Sequence, residues 1–146
     1  MLRTLRNISI VAAGLLLGAC ASQLSYSEMQ ALMPPQPADK GRIYFYRESA
    51  FMGNLITPDI VVNGKAVGTS NPGTFFYVDR EPGDYQVFCG MGTLNQTGFT
   101  LSAGQDIYVR TSVGSGSIVK STMVTEVIDV PAAIPAIHDL KYVAVK

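Results

Sequence analysis

The chain has 146 residues, 47% of them hydrophobic, with 11 Lys and Arg against 11 Asp and Glu and a single histidine. That length supports one core. A formal charge of zero with no basic cluster excludes nucleic acid as an expected partner, and one histidine with two cysteines cannot make a zinc site at the usual spacings.

Arg3 and Arg6 open the chain, and Ile8 to Ala19 is then almost wholly apolar and uncharged. A positive start, a short apolar run and small residues at its end form the pattern of a secretory signal peptide. The run is about a dozen residues, short of the roughly 20 that a spanning helix needs. Residues 1–19 are therefore read as an address, not a membrane helix. Leu17-Gly18-Ala19-Cys20 resembles the lipobox of bacterial lipoproteins. The resemblance implies cleavage before Cys20, diacylglycerol on its sulfur and an acyl chain on its amine. Two or more acyl chains anchor stably, at about 0.8 kcal/mol per buried methylene. Ala21 stands where that family often carries the Asp that holds a lipoprotein in the inner membrane, so the resemblance implies an outer-membrane anchor facing the periplasm. An ordinary cleaved signal that ends in cysteine is the competing reading.

Cleavage would leave 9 basic against 11 acidic residues, a formal charge of −2. It would also leave Cys89 without an intramolecular partner once Cys20 is acylated. Cys89 sits in an apolar run and is expected to be a small core hydrophobe. A Cys20–Cys89 disulfide is the alternative in an oxidising compartment, and lipidation excludes it.

Residues 20–39 read as the lipidated cysteine and a tether that either lies against the domain or stays loose. Ser27 is placed to cap a short helix with Met29, Leu32 and Met33 on one face, which Pro34 and Pro35 would stop. Residues 40–146 read as one β domain. Ile43-Tyr44-Phe45-Tyr46, between Arg42 and Arg47, is predicted as a central strand covered on both faces. Met52-Gly53-Asn54 is a loop. Ile60-Val61-Val62, Asn63-Gly64 and Lys65 to Gly68 form a hairpin, because a type I′ turn needs positive φ at both central residues. After a turn at Asn71-Pro72-Gly73, Thr74 to Val78 is a strand. Pro82-Gly83 is predicted as a type II turn, followed by the alternating run Tyr85, Val87, Cys89. Gly98 to Leu101, Ile107 to Thr111 and Ile118 to Val127 are further strands, with a turn at Ser102–Gln105 and a tip at Gly114–Ser117. Pro131 to Leu140 is a short helix interrupted or kinked at Pro135, and Tyr142 to Val145 an edge segment. Strands and turns at short, even spacing with no helix between them predict an all-β, antiparallel β-sandwich with a short C-terminal helix.

Gly41 to Arg47, Val62 to Gly68, Glu81 to Val87 and Gly104 to Val109 resemble successive pieces of a family of small bacterial lipoproteins whose domain is one of unknown function. The hairpin and the Pro-Gly turn are also similar to PEGA-type sandwich modules. The resemblance covers about Lys40 to Val127. It implies an immunoglobulin-like or PEGA-like sandwich and supplies no catalytic residues.

Chemistry is sparse. A hydrolytic triad would have to use His138, whose neighbour Asp139 is poorly placed as its orienter. Gly68-Thr69-Ser70-Asn71-Pro72 lacks the second glycine and the strand-to-helix setting of a nucleophile elbow. Gly90-Met91-Gly92 and Gly114-Ser115-Gly116 lack the third glycine of a dinucleotide loop. Asp79, Glu81 and Asp84 could hold a weak calcium ion, though a solvated turn is the expectation. No cofactor and no metal are expected. Tyr44, Tyr46 and Phe76 are expected to fill the sandwich core or lie under the tether; an exposed binding surface is the alternative. The sequence thus predicts a non-catalytic binding or scaffold module, held to the outer membrane through Cys20 and meeting an envelope protein. A peptidoglycan or glycan binder is the alternative, and a small hydrolase a second one.

Overall fold

The computed structural model describes residues 23–51, 53–90, 95–114 and 122–145. The signal segment, Cys20, Met52 of the predicted loop, Met91 and Gly92, the Ser115–Ser117 part of the predicted tip and the Ile118–Ser121 start of the predicted last strand lie outside them. The strands are β1 (Gly41–Arg47), β2 (Asp59–Val62), β3 (Lys65–Thr69), β4 (Thr74–Arg80), β5 (Gly83–Cys89), β6 (Thr97–Leu101), β7 (Asp106–Val113), β8 (Met123–Ile128) and β9 (Lys141–Tyr142). Helix α1 (Tyr26–Met29) precedes them, and α2 (Val130–Ile137) lies between β8 and β9. The strands form a five-stranded sheet, β8-β7-β1-β4-β9, and a four-stranded sheet, β3-β2-β5-β6. Most pairings are antiparallel, as the predicted β-sandwich requires. Two depart from it: β1–β7 and β4–β9 run parallel.

Alternation along the central strands builds two cores. Ile43 and Phe45 of β1 point between the sheets and meet Ile60, Phe76, Val87, Cys89, Leu101 and Val109. Tyr44 and Tyr46 point the other way and meet Phe75, Tyr108 and the apolar residues of both helices. A strand with two covered faces reads as a continuous apolar run, and every residue of β1 is buried. Fully burying one such apolar side chain stabilises the fold by roughly 1.5–3 kcal/mol.

The helices are short and held by packing. Ser25, not Ser27, caps α1: its hydroxyl accepts from the Glu28 amide while Glu28 accepts from the Ser25 amide. This reciprocal pair satisfies two amides that would otherwise be orphaned. Tyr26 then sits edge-on to Tyr44 and Phe75, and its hydroxyl lies 3.0 Å from that of Tyr108. The expected tether is therefore docked on the domain from Ser25 onward. In α2, Pro131 occupies the first turn, where no amide is needed, while Ala133 and Ile137 are completely buried.

The hairpin has the predicted turn, with Asn63 at φ 47° and Gly64 at φ 80°. The Pro-Gly turn does not. Gly83 has φ 156°, far from the roughly +80° of a type II turn, and is already paired with Leu101 as the first residue of β5. The reason is topological: β4 and β5 belong to different sheets, so Glu81-Pro82 carries the chain across the sandwich instead of closing a hairpin. Gly68 of β3 packs directly against Phe76 of β4 in the facing sheet. A Cβ there would lie 2.5 Å from the Phe76 ring, which is itself packed in the core. Gly68→Val is expected to cost about 1–3 kcal/mol through overpacking, read as a lower melting temperature in thermal unfolding.

Candidate functional site

β1 ends in an arginine on each face. Arg42, on the helical face, donates through Nε and Nη2 to the two carboxylate oxygens of Asp79, at 2.7 and 2.9 Å. Its guanidinium lies 4.4 Å from the Tyr77 ring centroid and also donates to the Pro34 carbonyl. A forked donor is needed to hold a carboxylate and a backbone oxygen together. The segment before β1 is pinned by this contact. Hydrogen bonding to Asp79 holds the Arg42 pKa above its ordinary value.

Arg47 points between the sheets and is buried. Its Nη1 donates to the carbonyls of Ile56 at 2.6 Å and Ser70 at 3.0 Å, and its Nη2 to that of Gly53 at 2.7 Å. Among the described residues no carboxylate forms an ion pair with it. Burial lowers its pKa, and three carbonyl dipoles take the place of a counter-ion. Behind it, the Ser70 and Thr111 hydroxyls are 2.7 Å apart. Ser70 also lies against the Cys89 thiol. Burial pushes that thiol up to about 11.

Two of the carbonyls that Arg47 holds, those of Gly53 and Ile56, belong to the segment joining β1 to β2, and the third, that of Ser70, follows β3. Gly53 adopts φ +87°, and a Cβ there would lie 2.6 Å from the Val113 side chain, so the segment folds tightly against the end of β7. The Ile56 amide donates to Gly53, and the Ser70 amide to Pro58. From this fixed base, Phe51 and Leu55 are 100% and 98% exposed. Sequence reasoning read this segment only as a loop. The signal available was Phe and Leu inside a turn-rich stretch, with a strand-flanking arginine beside it.

Of the two readings of the aromatic candidates, the exposed binding surface is not what the structure shows; the rings are packed in the cores. Tyr44, Tyr46 and Phe76 are 5%, 2% and 3% exposed. Tyr44 stacks on Tyr108, and Phe76 on Phe45. Two-sided burial of the large sheet covers both faces on which these rings lie. The Tyr46 hydroxyl is buried without a hydrogen-bond partner in the described structure, and burial raises its pKa. The acidic trio is dispersed among other contacts: Asp79 serves Arg42, Glu81 lies 3.5 Å from Lys40, and Asp84 accepts from Thr100. His138 Nδ1 is 2.7 Å from Asp139 Oδ1, and both residues are exposed. They lack the water-excluded setting in which a triad works. A groove of about 730 Å³ runs between β3, β4 and the Val143–Val145 tail, and Phe76 forms part of its floor.

The family described as "Protein of unknown function (DUF2846)" matches residues 37–124. An uncharacterized protein of Haemophilus influenzae is 32% identical over 83 residues, which cover 54% of this chain and 49% of that protein. The chain thus spans about half the length of that relative. No solved structure gives a significant match.

Two consequences are measurable. Arg47→Lys keeps a charge but cannot reach three carbonyls at once. It should cost about 1–3 kcal/mol by leaving buried acceptors unsatisfied, and limited proteolysis should then cut between residues 48 and 58. Cys89 should react with a thiol reagent at pH 8 about a hundredfold more slowly in the folded than in the unfolded protein, because only the thiolate attacks. Thiol titration with and without denaturant reads the difference.

Proposed function

This chain belongs to the DUF2846 family, and from that premise we propose that it is a lipid-anchored envelope module that acts by binding, not by catalysis. The observation that carries this reading is the Leu17-Gly18-Ala19-Cys20 sequence placed directly before a folded domain. Helix α1 is already capped at Ser25, so little free chain would separate an acylated Cys20 from the sandwich. The sandwich itself, with its Asn63-Gly64 hairpin, is similar to PEGA-type modules in outline.

In this reading Cys20 carries the acyl chains, and Ala21 directs the protein to the outer membrane with its domain in the periplasm. Anchoring confines the domain to a surface and raises its effective concentration toward neighbours. Its function is then that of a scaffold or accessory surface for an envelope protein. The groove between β3 and β4 offers a seat for an extended chain, peptide or glycan. Its polar rim, with Asp59, Lys65 and Arg80, is better suited to hydrogen bonding than to aromatic stacking on sugars. The exposed His138–Asp139 pair gives a hydrolase reading little support.

Cys20→Ser tests the anchor. The variant should remain uncleaved or leave the outer-membrane fraction, and should not incorporate labelled palmitate. A variant that fractionates and labels like the parent protein overturns the reading.

A further inference from the structure

We propose that the domain stands on the lipid surface by the end of the sandwich that carries Arg80, Pro82 and the Asn63-Gly64 hairpin, because the short chain between Leu24 and Cys20 leaves the fold in that direction. This rests on the lipid-anchor reading and adds an orientation to it.

The first argument is direction. Ser25 bridges Lys141 in antiparallel fashion, and the Leu24 carbonyl accepts from the Tyr142 amide. β9 itself runs parallel to β4, pairing Lys141 with Thr74 and Tyr142 with Phe75. Beyond β9 the chain keeps that course: the Val143 amide donates to the Phe75 carbonyl, and Val145 packs against the inter-sheet core to which Val78 belongs. A chain antiparallel to β9, traced backward from Ser25, therefore advances beside Val143 toward Arg80.

The second argument is reach. From Leu24 back to Cys20 is at most about 14 Å of extended chain. Arg80 lies about 17 Å beyond Phe75 at the usual strand rise. An extended course thus brings Cys20 near the level of Asp79. Past that level the Glu81-Pro82 crossing and the hairpin project, the latter held where the Asn63 amide donates to the Gln86 carbonyl of β5. Acyl chains on Cys20 can enter a bilayer there while the domain rests on it. To bring the Arg47 end to the bilayer, the same short span would have to double back. Of the residue types that favour turns it holds only Ser22.

The third argument is charge. Lys65 and Arg80 line the groove beside Val143–Val145, and among the described residues neither forms an ion pair. The groove's own acid, Asp59, lies toward its other end, one residue before the Ile60–Cys89 pair. Asp79, Glu81 and Asp84 are engaged by Arg42, Lys40 and Thr100. Asp39 and Asp106 stand further across the sheet, before β1 and at the start of β7. The two cations nearest the tail are thus open to anionic phospholipid headgroups.

The test uses the full lipidated protein in vesicles of phosphatidylethanolamine and phosphatidylglycerol, with no other protein present. Cys20 is acylated and Cys89 is buried, so a new surface thiol takes an environment-sensitive dye selectively. Ala66, beside the hairpin, and Ala50, just after β1, are both exposed. Ala66→Cys reports on the proposed contact and Ala50→Cys is the control. Lipids with a nitroxide on the headgroup should quench the dye at 66 at least about twofold more than at 50, because the two ends stand about 17 Å apart. A flexible Gly-Ser linker of about ten residues inserted after Ser22 should abolish the excess by freeing the domain to turn. Flotation of the same samples reads the anchor separately. Protein that floats but quenches equally at 66 and 50, or more at 50, overturns the orientation and leaves the anchor standing. An excess at 66 that survives the linker overturns the short chain as its cause. Protein that does not float overturns both readings.

Discussion

The large sheet is covered on both faces, and most of the architecture follows from that constraint. A sheet that faced solvent on one side could have presented polar residues at Tyr44, Phe75 and Tyr108. Here these positions are aromatic, and a third layer is needed to bury them. Two helices too short to be stable in isolation supply it, and Tyr26, Ala133 and Ile137 lock them down. The dependence is mutual. Without the helical layer the sheet would expose a stacked aromatic face, and without that face α1 and α2 have little reason to persist. This is why the segment before β1 belongs to the folded unit and is not a free tether.

Both boundary arginines serve the same arrangement. Each caps a strand end that faces a different core, and each binds a piece of irregular chain. Arg42 and Arg47 are both buried, but only Arg42 has a carboxylate partner. A buried cation satisfied only by carbonyls is costly unless the geometry is good. The short contacts to Ile56, Gly53 and Ser70 meet that requirement. They also leave the β1–β2 segment little freedom, a cost the chain bears beside two apolar side chains that contribute nothing to the core.

Much of the fold could be read from the sequence where local chemistry decides it. Asn63-Gly64 admits one turn type and gave one. The mixed aromatic and β-branched run at Ile43–Tyr46 could only be a strand buried on both faces. Features set by distant partners were harder to read. The parallel pairing of β1 with β7 joins residues some sixty positions apart, and no local pattern distinguishes it from an antiparallel neighbour. Pro82-Gly83 has the composition of a type II turn, but the sheet change between β4 and β5 imposes another geometry. Ser25 and Ser27 are equivalent caps by type; Glu28, three residues after Ser25, is the signal that separates them. The aromatic positions carried two readings for a related reason: the type of a residue shows that it has area to bury, not which neighbour will bury it.

That distinction shapes the functional reading. Tyr44, Tyr46 and Phe76 found partners inside the chain, whereas Phe51 and Leu55 did not. Exposure of single apolar residues is ordinary, so the two would carry little weight alone. Their meaning comes from their base and their place. The backbone beneath them is fixed by a buried cation, and the chain's entry point sits at the same end of the sheet. The same buried cation that closes the end of β1 thus fixes the backbone from which the two exposed side chains project, through Gly53 and Ile56.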